Sequence, residues 1–137
     1  DGAGDVGAPR VAALGAGGAL AIWEQSQFGY FHVYGNRFNG TGWSTADRLH
    51  ENNSPSLFNL NLVSDGSGGA IALWNQGIDS APPLVHTLRY AGGTWQAVET
   101  VSEPGENSAN AHVAMNANGQ AMAVWREERN GAWQLWA

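Results

Sequence analysis

The 137-residue sequence contains no cysteine and no lysine. Without cysteine there is no disulfide framework, no thiolate zinc centre and no cysteine nucleophile. All six basic residues are arginines, set against twelve Asp and Glu for a net charge of -6. No basic stripe is present to neutralise phosphates, so the composition does not suit nucleic acid or anionic membrane surfaces as partners. Charged residues make up only 13%, too few for a coiled coil or a salt-bridged helical bundle. No apolar run approaches the roughly 20 residues of a membrane span. What is present is a hydrophobic share of 43%, which excludes simple disorder, together with 19 glycines and seven tryptophans. The length corresponds to about one domain.

The sequence repeats. Val11-Ala-Ala-Leu-Gly-Ala-Gly-Gly-Ala-Leu-Ala-Ile-Trp23 aligns without gaps with Leu62–Trp74 and Val113–Trp125, so Trp23, Trp74 and Trp125 recur every 51 residues. A second landmark, Arg37-Phe-Asn-Gly-Thr-Gly-Trp43, returns 52 residues later as Arg89-Tyr-Ala-Gly-Gly-Thr-Trp95. Trp133-Gln-Leu-Trp136 begins a third copy of this half by alignment with Phe31-His-Val-Tyr34. Three landmarks recurring in order at one period define a repeat architecture. The units fall at residues 1–53, 54–106 and 107–137, the last incomplete.

Within each unit Ala19 and Ala21 alternate with Leu20 and Ile22, Ala70 and Ala72 with Ile71 and Leu73, and Ala121 and Ala123 with Met122 and Val124. Successive side chains of a strand point to opposite faces, so this strand is apolar on both and must be covered on both. One face offers methyl groups and the other larger aliphatics, a pattern that lets stacked copies fit large against small. Gly15–Gly18, Asp65–Gly69 and Asn116–Gly119 supply turns, as do Asn39–Gly42 and Ala91–Thr94. Four short strands per unit result, in the first at about 9–14, 18–25, 30–38 and 42–49. No 3.6-residue apolar period is sustained, so helix should be nearly absent. The expected fold is all-β: β-propeller blades of four antiparallel strands, about 2.75 blades in the chain. An open array of that kind leaves two apolar faces in water. The chain is therefore expected to associate as a homo-oligomer or with the remainder of a longer propeller.

The order x-Pro-x-Val-Ala, Gly-x-Ala-x-Ala-x-Trp, an aromatic strand ending Arg-Tyr, then Gly-Gly-x-Trp resembles repeats of bacterial secreted or cell-surface proteins, related in pattern to sialidase-type (Asp-box) propellers. Two departures stand out. Ala16 lies near the turn position held by Asp65 and Asn116, and the Asp-box Ser-x-Asp-x-Gly-x-x-Trp is not reproduced. The resemblance implies a secreted or surface location and edge aromatics that stack on sugars. It also brings in a sialidase alternative, in which several arginines converge on a carboxylate.

Candidate ligand-binding residues are Arg37, Trp43, Arg89 and Trp95. A guanidinium can hold a carboxylate or a pair of hydroxyls bidentately or stack on a ring, although an ion pair between blades is the commoner use. Trp43 and Trp95 follow hairpin tips and serve either packing or stacking. Trp23, Trp74 and Trp125 are expected to pack between blades, each removing on the order of 200 Å² from water. Glu24, Asn75 and Arg126 follow those tryptophans with different charges, which points to solvent exposure. Glu127 and Glu128 are adjacent and face opposite ways, a poor geometry for paired-carboxylate hydrolysis. His32, His50, His86 and His112 share no ligand spacing, and Asp65 suits a hydrogen bond to its own turn better than calcium. Asn39-Gly-Thr41 and Asn52-Asn-Ser54 match the glycosylation pattern. No cofactor or metal is expected. The resulting expectation is a non-enzymatic extracellular module recognising glycan or protein. A purely structural segment and a sialidase-like hydrolase fragment are the alternatives.

Overall fold

The computed structural model describes residues 4–50, 54, 56–77 and 81–137. Eleven strands form three antiparallel sheets, and no helix occurs among the described residues. The first sheet contains β1 (Val6–Gly15), β2 (Gly18–Gln27), β3 (Tyr30–Phe38) and β4 (Asp47–His50). The second contains β5 (Leu57–Ser64), β6 (Ala70–Gln76), β7 (Leu84–Ala91) and β8 (Thr94–Thr100). The third has β9 (Asn107–Met115), β10 (Ala121–Arg129) and β11 (Ala132–Trp136), ordered β9-β10-β11. Each is a simple meander, the blade-like arrangement expected of the repeat.

Close packing follows the alternation in the second strand of each sheet. Leu20 and Ile22 meet Ala70, Ala72 and Trp74 of the next sheet, in two buried clusters that also hold Leu60, Leu88 and Tyr90. Leu73 and Val85 meet Ala111, Ala123 and Trp125 of the third sheet. Large aliphatics of one sheet thus fill the space above the small residues of the next. The first expected strand is longer than the pattern indicates. The fourth is shorter: Asp47–His50 alone forms it, and Trp43 contributes only an isolated bridge to Phe38.

Each first strand carries a bulge at the equivalent place. The register with the second strand shifts between Gly7 and Arg10, between Phe58 and Asn61, and opposite Val124 and Arg126. Ala8, Asn59 and Asn110, 51 residues apart, stand there in the left-handed region at φ 45°, 55° and 53°. A bulge bends its strand and re-aims neighbouring side chains.

The turns are built as the residue types imply in two sheets of three. Asp65 Oδ1 accepts from the amides of Ser67 and Gly69, and Asn116 Oδ1 from those of Asn118 and Gln120. In the first sheet the matching position is Leu14, which is buried in the core, while Gly15, Ala16 and Gly17 all take positive φ. A side chain on Gly15 would strike the Gly66 carbonyl of the neighbouring turn, so glycine is required for the two sheets to approach there.

Candidate functional site

The turns joining first to second and third to fourth strands gather at one end of the stack. They surround a cavity of about 700 Å³, lined by Gly15 and Ala16, by Asp65 and Gly68, and by Gly92 and Asn118. Arg37 near the end of β3 and Arg89 near the end of β7 both line it. The two guanidiniums are exposed and make no ion pair or hydrogen bond among the described residues. The ion pair between blades expected of them is not formed among the described residues. Asp65 faces the same cavity, but its carboxylate is held below its ordinary range by the Ser67 and Gly69 amides of its own turn.

Arg37 also lines a groove between the first two sheets, bordered by Asn36, Arg48, Tyr90 and Trp95. Trp95 is half-buried, edge-on to Tyr90 at 5.1 Å, and packs against both core clusters of that interface. The Tyr90 hydroxyl beside it is buried with no hydrogen-bond partner among the described residues. Trp43 is different. It is 53% exposed, leans on Phe38 at 5.4 Å and lines neither cavity nor groove. The structure therefore brings Arg37, Arg89 and Trp95 towards one end and one seam, and leaves Trp43 apart. Arginine stacking occurs elsewhere, with Arg126 over Trp133 at 4.6 Å and Arg129 over Trp136 at 4.0 Å. Asn39 Oδ1 accepts from the Thr41 and Gly42 amides, and Asn52 lies outside the described residues.

Exposure holds for only one of the three residues following the repeating tryptophans. Arg126 is exposed and Glu24 half-buried, but Asn75 is completely buried. Asn75 donates to the Ser108 carbonyl at 3.0 Å and accepts from the Ala111 amide at 3.2 Å, gripping the bulge of the third sheet. The residue two places after each tryptophan is a recurring partner that the pattern reading missed. Indole Nε1 donates to Gln25, Gln76 and Glu127 in turn, at 3.1, 3.0 and 3.1 Å. The Trp-x-Gln/Glu spacing was the available signal. Glu127 and Glu128 do face apart: Glu127 is buried against Trp125 and Arg129, while Glu128 accepts from Asn107. Burial pushes the Glu127 carboxyl up, but the bonds from Trp125 and Arg129 and the charge of Arg129 outweigh it, so it titrates below the usual range.

Three of the four histidines meet at the seam of the first two sheets. His50 and His86 lie 5.7 Å apart, each also against Trp74 at 5.4 and 5.7 Å, and His32 is near enough to act on His50 electrostatically. No group of three or more His, Asp or Glu among the described residues is disposed to hold a metal. Burial, and then the neighbouring imidazoles, lower the His50 pKa from 6.5 to about 4, and burial lowers that of His86. Burial thus disfavours the charged form of each. For His50 the contribution to stability is complete above the unfolded value of 6.5 and is lost as pH falls towards 4. The gap at His50 corresponds to about 3 kcal/mol at full strength, reduced to roughly 1–2 by partial solvent access. Urea midpoints of the wild type should drop between pH 7 and 4.5 by more than those of a His50→Phe variant. Equal drops would remove His50 from the acid response.

No protein-family model matches the chain, and no curated protein matches it. Among solved structures it is similar to the Hadza microbial sialidase Hz136, with a TM-score of 0.58 at 11% identity. The match covers 95% of this chain and 37% of the sialidase, so the chain spans little more than a third of that protein's length. At this identity the likeness is one of fold. The chain has a sialidase-like all-β architecture built from antiparallel sheets.

Proposed function

We propose that the chain is part of a β-propeller acting as a non-enzymatic extracellular binding module, and that it takes a glycan at the turn end of the sheets. The observation that carries this reading is the pair of unpartnered guanidiniums, Arg37 and Arg89, on one cavity. Its volume of about 700 Å³ lies within the roughly 300–1,000 Å³ of small-molecule sites. Two planar forks on successive repeats suit hydroxyl pairs or a carboxylate. Trp95 and Tyr90, in the groove that Arg37 shares, add an aromatic wall. Binding is favoured over turnover because the arginines are repeat equivalents. Catalysis requires unlike groups converging, and the acid that lines the cavity with them, Asp65, is committed to its own turn.

A glycan array probed with wild type and with an Arg37→Gln/Arg89→Gln variant tests the proposal. Binding by wild type should fall at least about tenfold in the variant, because each charged hydrogen bond is worth roughly 1.5–3 kcal/mol. Melting should be unchanged, since both side chains are exposed. Trp43→Ala should leave binding intact. An array with no wild-type signal overturns the glycan reading in favour of a structural segment. Turnover of a fluorogenic sialoside that vanishes on Arg37→Ala overturns it in favour of a hydrolase.

A further inference from the structure

The groove that Arg37 borders lies between two neighbouring four-stranded sheets, away from the end faces of the stack. Every residue lining it belongs to β3, β4, β7, β8 or the turns beside them. Its volume is about 480 Å³, again within the roughly 300–1,000 Å³ of small-molecule sites. Arg37 and Gly93 line both this groove and the turn-end cavity, so the two spaces adjoin. The Tyr90 hydroxyl marks the groove as more than a packing gap. Tyr90 is 3% exposed, and its hydroxyl has no partner among the described residues. An unpaired buried hydroxyl works against folding. Packing gives no reason for it, because the equivalent residue of the first sheet is Phe38, which leans on Trp43 much as Tyr90 leans on Trp95. Tyr90 packs with Leu20, and Leu20 stands opposite Arg37 in register, which places the phenol on the Arg37 side of the seam.

The charges around the groove indicate what would pair with that hydroxyl. Asp47 is exposed and stands opposite Gly35, on the face that Arg37 shares two residues further along β3. The two do not form an ion pair. Arg48 follows Asp47 and so faces the other way, where its guanidinium donates to Gln27 Oε1 at 3.1 Å. The groove therefore offers a side chain that only donates, one that only accepts, and a phenol that does both. Sugar hydroxyls, which donate and accept, can answer all three, whereas a carboxylate on the same ring would meet the charge of Asp47. Half-buried Trp95 adds apolar surface for the ring. We propose that the groove is a second subsite for an uncharged sugar ring. The ligand is then an oligosaccharide of two or more rings that runs from the turn-end cavity past Arg37 into the seam, with one hydroxyl pairing with Tyr90. This rests on the glycan reading of the cavity and adds to it the length of the ligand and the charge of its second ring.

The test is an array of mono-, di- and trisaccharides of glucose, galactose, mannose and N-acetylglucosamine, printed beside the same series carrying uronic acids. Wild type should bind its preferred di- or trisaccharide at least about tenfold more tightly than the corresponding monosaccharide. Tyr90→Phe removes one oxygen and installs the residue of the equivalent position, so the fold should be at least as stable as wild type. It should cut the gain from one ring to two by roughly three- to tenfold, the worth of a neutral hydrogen bond. Arg89→Gln should weaken every member of the series, because Arg89 lines the cavity and not this groove. Uronic acid in the second ring should be rejected by wild type and accepted better by Asp47→Asn. Equal binding of one ring and two, or a Tyr90→Phe chain that melts lower and binds as wild type does, would overturn the second subsite while leaving the cavity reading in place. Equal binding of acidic and uncharged second rings would overturn its assignment to an uncharged sugar. No wild-type signal anywhere on the array would remove the glycan reading of the cavity, and this subsite with it.

Discussion

Trp74→Ala is expected to destabilise the chain by about 3–5 kcal/mol, the range for truncating a fully buried large side chain. Trp74 is wholly buried within the cluster of Ile22, Leu57, Leu60 and Leu88, with His50 and His86 against its ring. Its indole Nε1 donates to Gln76 Oε1 at 3.0 Å, and Gln76 Nε2 in turn donates to the Phe31 carbonyl of the first sheet at 3.1 Å. Truncation opens a cavity and also leaves the buried Gln76 oxygen without its donor. Against a typical total of roughly 5–15 kcal/mol this consumes much of the stability, and a fall of about 10 °C or more in Tm follows. Trp23→Ala supplies the internal control. Trp23 makes the same bond to Gln25 but is only half-buried, on the open face of the first sheet, so about 1–2 kcal/mol is expected. Calorimetric or denaturant scans of the two variants check this. Equal losses would mean that the repeat position, and not the neighbouring sheet, sets the value of the ring.

Asn75→Leu is expected to cost about 2–4 kcal/mol despite conserving volume and adding hydrophobicity. The Asn75 amide satisfies the Ser108 carbonyl and the Ala111 amide, and its Oδ1 also accepts from Asn59 Nδ2 at 3.2 Å. Leucine would leave these groups buried without partners, at about 1–3 kcal/mol for each poorly solvated one. The loss should be local to the second interface. Hydrogen exchange at Ser108–Ala111 should accelerate before that of the first sheet. A variant as stable as wild type would show that water replaces the side chain at the bulge.

The three antiparallel sheets, most of their turns and the large-on-small stacking were legible because each rests on periodicity: alternation of two in the strands and 51 residues between tryptophans. Asn75 was not. Its repeat equivalents, Glu24 and Arg126, vary in charge as solvent-facing residues do. They vary because each faces a different environment: a half-buried site beside Arg10 for Glu24, the bulge of a neighbouring sheet for Asn75, an open end for Arg126. The bulges were hidden for a related reason. Asparagine tolerates the left-handed region at 59 and 110, but Ala8 adopts it with no residue preference to announce it. The histidine cluster joins β3 and β4 of one sheet to β7 of the next, a proximity set by stacking that no spacing encodes. Arg37 and Arg89 were visible as a periodic pair. That they share one cavity depends on how closely successive turns approach, which the Gly15–Gly66 contact sets and the motif does not.

The large-on-small interlock makes each repeat a part that carries both halves of its own joint. Such a part can be duplicated in tandem without inventing a new contact, because every added copy brings a receiving face for its predecessor and an entering face for its successor. What the joint does not fix is where growth stops. A contact between unlike faces propagates indefinitely unless the rotation per step brings the last face back to the first. Small changes at the bulges, which bend each first strand against its neighbour, would alter that rotation while leaving every core residue in place. In this architecture the bend of each first strand sits at three equivalent positions, Ala8, Asn59 and Asn110, apart from the side chains that set the strength of each joint.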